Sequence, residues 1–330
     1  MSKMQIFCKS FLYGLVNRGV RLGKKPSRFL YLILIVKDLV RLRKPDIPGI
    51  KRFITTNSIE AITLESRTNL PSIESLVVST RKDFAVLALC IPNIVESSFN
   101  QITRISIIVP NSDMQECKLL IDTLELGVPI ELIDEDSYLP IELRNKIRRL
   151  FGNRYGWVLQ QILTVEFIRR SEATGVLVVN SDTILLEKLV WLDDMSLQLL
   201  MPSWEFNKPY YDFLEQLNPS FAGITQSFIS HHMLMQPVMF RKTLTEIGIN
   251  SLEELLQKVE IHADLSSISP ICLEFEIYAQ GLLAFNRDRA LITKWSNIGV
   301  SRTNGAVSLE EIARLKSRKQ FRSVSIHSWS

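Results

Sequence analysis

The sequence predicts an α/β fold with a mainly parallel, mixed central sheet flanked by helices, preceded by a basic helical N-terminal arm. Three observations carry this. From about residue 71, short β-branched runs alternate with longer helical stretches, the pattern of βαβ units. The run Gly175 to Val179 (GVLVV) is apolar without alternation, as a strand covered on both faces must be. Finally, residues 1–52 hold thirteen Lys or Arg against two Asp or Glu, so a total charge of +4 leaves −7 for the remainder. A basic arm therefore precedes a mildly acidic body.

In the arm, Lys24, Lys25, Arg28, Lys37, Arg41, Arg43 and Lys44 flank the apolar run FLYLILIV at 29–36. That run is far shorter than the roughly 20 residues a membrane-spanning helix needs. The start carries positive charge, but Tyr13, Gly14, Arg18 and Arg21 interrupt any secretory core. The expectation is a cytoplasmic protein. Its arm either lies on an anionic membrane surface, where each basic residue contributes about 1 kcal/mol, or packs on the body as a basic helix. No nucleic-acid motif accompanies the charge, so no nucleic-acid partner is expected. Cys8, Cys90, Cys117 and Cys272 form no CxxC pair. That argues against a zinc ribbon or disulfide framework and for reduced thiols.

Residues 1–70 read as arm and linker, with Pro45, Pro48 and Gly49 before a Thr/Ser/Asn-rich stretch, and 71–330 as the main domain. The first strand is Ser75 to Ser79, followed by the polar Thr-Arg-Lys-Asp. Phe84 to Ile94 reads as a helix stopped near Pro92. Arg104 to Val109 is a strand ended by Pro110. Asn111 or Ser112 then caps a helix running to about Leu126, with Gly127 as its stop. Ile130 to Ile133 is the third strand, before an acidic Asp134-Glu135-Asp136. Leu139 to Leu150 and Val158 to Arg170 read as helices, Leu197 to Met201 as a strand, and Leu309 to Phe321 as a basic helix. The apolar residues of the tail SVSIHSWS point to docking on the body.

The most informative segment is GVLVVNSDTILL, residues 175–186. Ligands of open α/β sheets gather at the carboxyl ends of the strands, and Asp182 follows such an end. A carboxylate there is costly unless it is paired or holds a metal. Magnesium or manganese on a diphosphate uses few protein carboxylates and stabilises the negative charge of a departing group. Asp182 is the expected metal ligand. Asn180, two places earlier, adds an amide suited to a ribose or a metal-bound water. The segment argues against a phosphatase of the D-x-D-x-T type, because Asn180 has no nucleophilic oxygen and Thr183 stands one place too early.

Other candidates surround this segment. His231 and His232 are adjacent, and on a strand they face opposite ways. His232 is expected as a catalytic group and His231 as an acceptor contact, against the alternative of one core and one surface histidine. Glu274 and Glu276 diverge by about 200° on a helix. Glu274 is favoured as general base toward an acceptor hydroxyl, with Glu276 on the acceptor side. His327 in the tail is a candidate second metal ligand. Lys82 suits a phosphate and Asp83 a base or ribose. Trp157, Gln160 and Gln161 are expected to line the cleft, Trp157 toward the acceptor and Gln161 toward the nucleotide.

Jointly, RKDF, LCIPNI, ISIIVP, IELIDED, RYGWVLQQIL, VLVVNSDTILL, HHMLMQP, LEFEIYAQ and SIHSW, in order across about residues 75–330, resemble a bacterial group of glycosyltransferase-like proteins. That group has the nucleotide-sugar transferase fold called GT-A. The resemblance implies a nucleotide-sugar donor, a saccharide or lipid-linked acceptor, and Asp182 in the role of that fold's Asp-x-Asp motif. It also implies a C-terminal histidine, here His327, completing the metal site. Asn180 departs from the motif. A hexosyltransferase-like enzyme is the leading expectation. A non-catalytic nucleotide-sugar-binding module and a sugar-phosphate transferase are the alternatives. If the arm is a membrane anchor, the full chain co-sediments with anionic vesicles and a chain lacking residues 1–50 does not, which a vesicle-pelleting assay reads directly.

Overall fold

The structure is a computed structural model describing residues 55–56, 58–65, 69–203, 205–294, 296–301, 309–317 and 321–327. The basic arm, and with it the membrane reading, lies outside the described residues.

The chain enters its sheet at β1 (Ile73–Val78), and a short 3-10 turn leads into α1 (Phe84–Glu96). Next come β2 (Ile102–Val109), α2 (Met114–Ile121) and β3 (Ile130–Asp134). Three helices follow: α3 (Glu135–Tyr138), α4 (Ile141–Phe151) and α5 (Tyr155–Arg170). The chain then makes β4 (Val176–Val179), β5 (Thr183–Leu185), β6 (Gln198–Leu200), α6 (Lys208–Leu217) and β7 (His232–Met235). It closes with α7 (Pro237–Glu246), α8 (Leu252–His262), α9 (Glu274–Phe285), β8 (Ala290–Ile292), β9 (Asn297–Ser301), α10 (Leu309–Ser317) and β10 (Ser323–His327).

The central sheet has five strands in the order β3-β2-β1-β4-β7. The first four are parallel and β7 is antiparallel to β4. The mixed, mostly parallel sheet expected from the sequence is the one observed. Alternation along each strand sends side chains to two cores. Leu76, Val78, Ile108, Val176, Val178, Met233 and Met235 join helices α4–α9 on one face. Val77, Ile107, Val109, Leu177, Val179 and Leu234 join α1 and Trp191 on the other. With both faces covered, GVLVV has no polar side to show.

Two smaller sheets complete the body. In one, β10 lies between β5, to which it is antiparallel, and β9, to which it is parallel. The other is the parallel pair β6-β8. The expected docking of the tail is thus strand pairing. Asn100, 2 % exposed, ties the turn after α1 to the segment before β6. Its amide donates to the carbonyls of Pro71 and Leu192 at 2.9 and 2.7 Å, and its Oδ1 accepts from the Trp191 and Leu192 amides at 2.8 and 3.3 Å.

Several boundaries differ from expectation. α1 runs through Pro92 rather than stopping there. Losing one ladder bond costs about 3 kcal/mol, which the burial of Leu87, Cys90, Ile91 and Ile94 offsets at roughly 1.5–3 kcal/mol per large apolar side chain. Neither Asn111 nor Ser112 caps α2. Both lie in a 3-10 turn, and α2 ends at Ile121, well before Gly127. The last helix is described over Leu309–Ser317, and Phe321 is not helical. In the linker region, the carbonyls of Glu60 and Ile62 accept from Lys294 N and Thr293 Oγ1 at 3.0 and 2.6 Å, so this part of it lies against the body. Among the described residues no helix is long and apolar enough to cross a membrane.

Helices α7 and α9 meet at Gly281. A Cβ there would collide with Thr243 Cγ2 and stand 2.6 Å from its Oγ1. Glycine in a helix interior ordinarily costs up to ~1 kcal/mol relative to alanine, but the steric term dominates here. Gly281→Ala is expected to lower stability by about 1–3 kcal/mol, and adding Thr243→Ala to recover part of it, both read as shifts in urea midpoint.

Candidate functional site

All four parallel strands point their carboxyl ends to one edge of the sheet, and the loops leaving that edge carry most of the polar candidates. Residues 80–83 follow β1, 110–113 follow β2, 135–136 follow β3, which ends at Asp134, and 180–182 follow β4. Because β7 is antiparallel, its entry residue His231 arrives at the same edge; Val179 pairs with His232.

The turn between β4 and β5 is tied on each side. The Thr183 amide donates to the Asn180 carbonyl at 2.9 Å and closes the turn. The Asn180 amide donates to the His231 carbonyl at 2.9 Å, and the Ile326 amide of β10 donates to the Asp182 carbonyl at 2.7 Å. Asn180 Nδ2 lies 3.3 Å from His231 Nδ1. His231 is held at φ +64°, a left-handed conformation uncommon outside glycine, though histidine is among the residues enriched there. Thr183 Oγ1 is 3.3 Å from Asp182 Oδ1 and 3.0 Å from Ser325 Oγ. Beneath the turn, Cys90 Sγ reaches the Asn180 carbonyl at 3.9 Å. Burial, with the Asp182 carboxylate nearby, pushes its thiol far up and leaves it an inert core group.

Asp83 connects this turn to the end of β1. It is buried, and Ser181 Oγ donates to its Oδ2 at 3.0 Å. Lys82 is exposed beside it. Arg81 binds the next loop, its amide donating to Asp113 Oδ2 at 2.8 Å and its guanidinium pairing with Glu116 at 2.7 Å. At the end of β3, Asn111 Nδ2 donates to Asp134 Oδ2 at 2.7 Å. Burial, with Asp136 adding repulsion against the pull of Arg144, pushes the Glu135 carboxyl up to about 7. The edge is rich in carboxylates and amide oxygens, a donor set suited to a hard divalent cation. Among the described residues no three His, Cys, Asp or Glu side chains converge closely enough to hold an ion alone. Such an ion would need oxygens from its substrate, as magnesium commonly does.

Of the expected site residues, the structure brings Lys82, Asp83, Asn180, Asp182 and His231 to one edge. His327 ends β10, one residue past the amide that holds Asp182, and its backbone pairs with Ser301; its side chain lies outside the described residues. Trp157 and Glu274 lie in the first turns of two helices. Trp157, 39 % exposed, is on the first turns of α5 with its ring 6.4 Å from that of Tyr210. Glu274 opens α9, buried, and its Oε2 has no hydrogen-bond partner. Burial pushes its carboxyl up to about 8.

Three expected site residues are core groups instead. His232 is 2 % exposed, with Nε2 3.3 Å from Met201 Sδ and its ring edge-on to Trp191 at 5.7 Å. Burial, then the neighbouring His231, brings it down to about 3, so it is neutral. Glu276 is 0 % exposed, and both its oxygens are occupied. Oε1 accepts from Tyr211 Oη, Ser227 Oγ and Phe228 N at 2.8–2.9 Å, and Oε2 from Gln280 Nε2 at 2.9 Å. Gln161, also buried, spends its Oε1 on the Leu273 amide at 2.8 Å. Strand and helix periodicity say which residues oppose each other but not which side faces a cleft. Sequence reasoning also missed Ser181 and Asn111, whose only signal was their place just past a strand.

No family model matches the chain, and no curated protein matches it. Among solved structures, WbbM, a bifunctional glycosyltransferase, is similar at 11% identity over 81% of this chain, with TM-score 0.44. This chain spans about half, 48%, of that one. Mouse xyloside xylosyltransferase 1 in its apo form is similar at 11% identity over 77% of this chain and 97% of its own, with TM-score 0.44. At that TM-score neither likeness carries an argument about this chain.

The raised Glu274 carboxyl has a consequence for stability. Its ordinary value is 4.5 and its folded value about 8, so between those limits the folded state holds a proton that the unfolded state has lost. Stability therefore falls as pH rises through this window, by at most about 1.4 kcal/mol per unit. Glu274→Gln is expected to flatten that fall. Urea midpoints at pH 5 and pH 8 should differ less in the variant than in the wild type.

Proposed function

We propose that this chain is a glycosyltransferase that moves a sugar from a nucleotide-sugar donor to a saccharide or lipid-linked acceptor. The observation that carries the reading is the position of Asp182, on a tied turn at the carboxyl end of β4, with Asp83, Asn180 and His231 around it. In the proposed GT-A-like arrangement the donor diphosphate would lie at this edge.

Asp182 is the carboxylate proposed to hold a magnesium or manganese ion together with the diphosphate, and His327 the proposed second ligand. When bound, the ion supplies charge to the departing nucleoside diphosphate. Lys82, exposed beside the turn, adds a cation for phosphate oxygens. Asp83 and the Asn180 amide are proposed to face the nucleoside, and His231 the acceptor. Glu274 is the proposed general base toward the acceptor hydroxyl; a carboxyl near 8 is close to the working pH at which proton transfer is most effective.

A second reading, a nucleotide-sugar-binding module without turnover, is favoured by one feature: Asn180 stands where the motif ordinarily has a second acid. Calorimetry with nucleotide sugars, with and without manganese, separates the two readings. Metal-independent binding without product supports the module. For the enzyme, Asp182→Ala is expected to lower divalent-dependent hydrolysis or transfer by at least about 100-fold, since even outer partners of a metal ligand cost ~10–100-fold when removed. Unchanged turnover in that variant overturns the assignment.

A further inference from the structure

A cavity of about 380 Å³ opens beside α6, lined in part by Phe206, Lys208, Tyr211, Asp212, Glu215 and Gly223. Its volume falls in the range of small-molecule sites, roughly 300–1,000 Å³. None of the residues around the Asp182 turn lines it.

The wall of this cavity is aromatic and fixed. The Phe206 and Tyr211 rings stack at 4.1 Å with 14° between their planes. The Tyr211 hydroxyl points away into the core, where it donates to Glu276 Oε1 at 2.9 Å. That oxygen also accepts from Ser227 and Phe228 N, so the tyrosine ring is pinned from behind. The rim is charged and exposed: Lys208 pairs with Asp212 at 2.5 Å, and Glu215 lies one turn along α6. At Gly223, held at φ +71°, no atom stands within 4 Å of where a Cβ would be.

This combination fits an uncharged sugar ring. The C–H face of a pyranose packs on an aromatic wall, and its hydroxyls donate to carboxylates. A nucleotide would also stack, but its phosphates would meet Asp212 and Glu215, with Lys208 already neutralised by one of them. The same strap of chain serves the cavity and the strand ends. Phe228 N is bonded to the Glu276 carboxylate that pins Tyr211, and His231 follows three residues later, at most about 11 Å of extended backbone. We propose that this cavity binds a pyranose unit of the acceptor against Phe206, with the buried Tyr211 ring stacked behind it as its support. The proposal rests on the sugar-transfer reading, to which it adds the acceptor's chemical class and its subsite.

The test is direct binding to the full chain, without nucleotide sugar. The probes are methyl α- and β-glycopyranosides of glucose, galactose, mannose and N-acetylglucosamine, followed by saturation-transfer NMR. At least one is expected to bind saturably. Phe206→Ala is expected to weaken that binding about tenfold or more, Phe206→Trp to retain it, and the exposed Glu215→Ala to weaken it several-fold; circular dichroism confirms the fold of each. If Phe206→Ala does not fold, Glu215→Ala decides the outcome. Absence of saturable binding by every glycoside, or binding unchanged in the folded variants, overturns the proposal. A wild type that binds glycosides but never consumes a nucleotide sugar keeps the subsite and sinks the transferase reading. One that consumes nucleotide sugars but binds no glycoside does the reverse.

Discussion

The arrangement at the sheet edge depends on one four-residue turn, Asn180 to Thr183. It leaves the central sheet through β4 and enters the small sheet through β5, so it is the hinge-pin between two layers. Its backbone is held by β7 through the His231 carbonyl and by β10 through the Ile326 amide. An untied turn at a strand end would leave polar groups half-buried without partners, at a cost of order 1–3 kcal/mol each. Here the ties also fix the direction from which the Asp182 side chain leaves the backbone. Preorganisation of a charged group in this way is what a site must possess before any ligand arrives.

Much of this was legible in the sequence, for physical reasons. GVLVV had to be a doubly covered strand because it has no polar face, and a carboxylate just past it had to sit at the strand's mouth. The apolar residues of the tail pointed to docking, and Ser323–His327 pairs with β5 and β9. The helix through Pro92 was not legible, because a proline's local cost is visible in a sequence while the burial that offsets it is not. His232 and Glu276 show the same limit at the site. A histidine beside a polar approach and a glutamate in a helix's first turn look alike whether they face a cleft or the core. Only tertiary packing assigned them to Met201, Trp191 and Tyr211.

The buried carboxyls have distinct roles. Glu276 is fully solvated by protein: four donors converge on it, and it acts as a fastener between α6, α9 and the strap before β7. Glu274, two residues earlier, has an oxygen without a donor and a correspondingly raised carboxyl. The contrast comes from the helix, which points the two side chains about 200° apart. One became a satisfied network and the other a group able to exchange a proton near neutral pH.

The pairing of β10 with β5 joins residues 142 positions apart, Thr183 to Ser325. While the polypeptide is being made, the Asp182 carbonyl therefore has to wait for β10 before it finds its partner. A chain clipped before Ile326 would lose the amide from which the Asp182 carbonyl accepts. Residues far apart in the sequence thus jointly set the geometry of the turn on which the proposed chemistry depends.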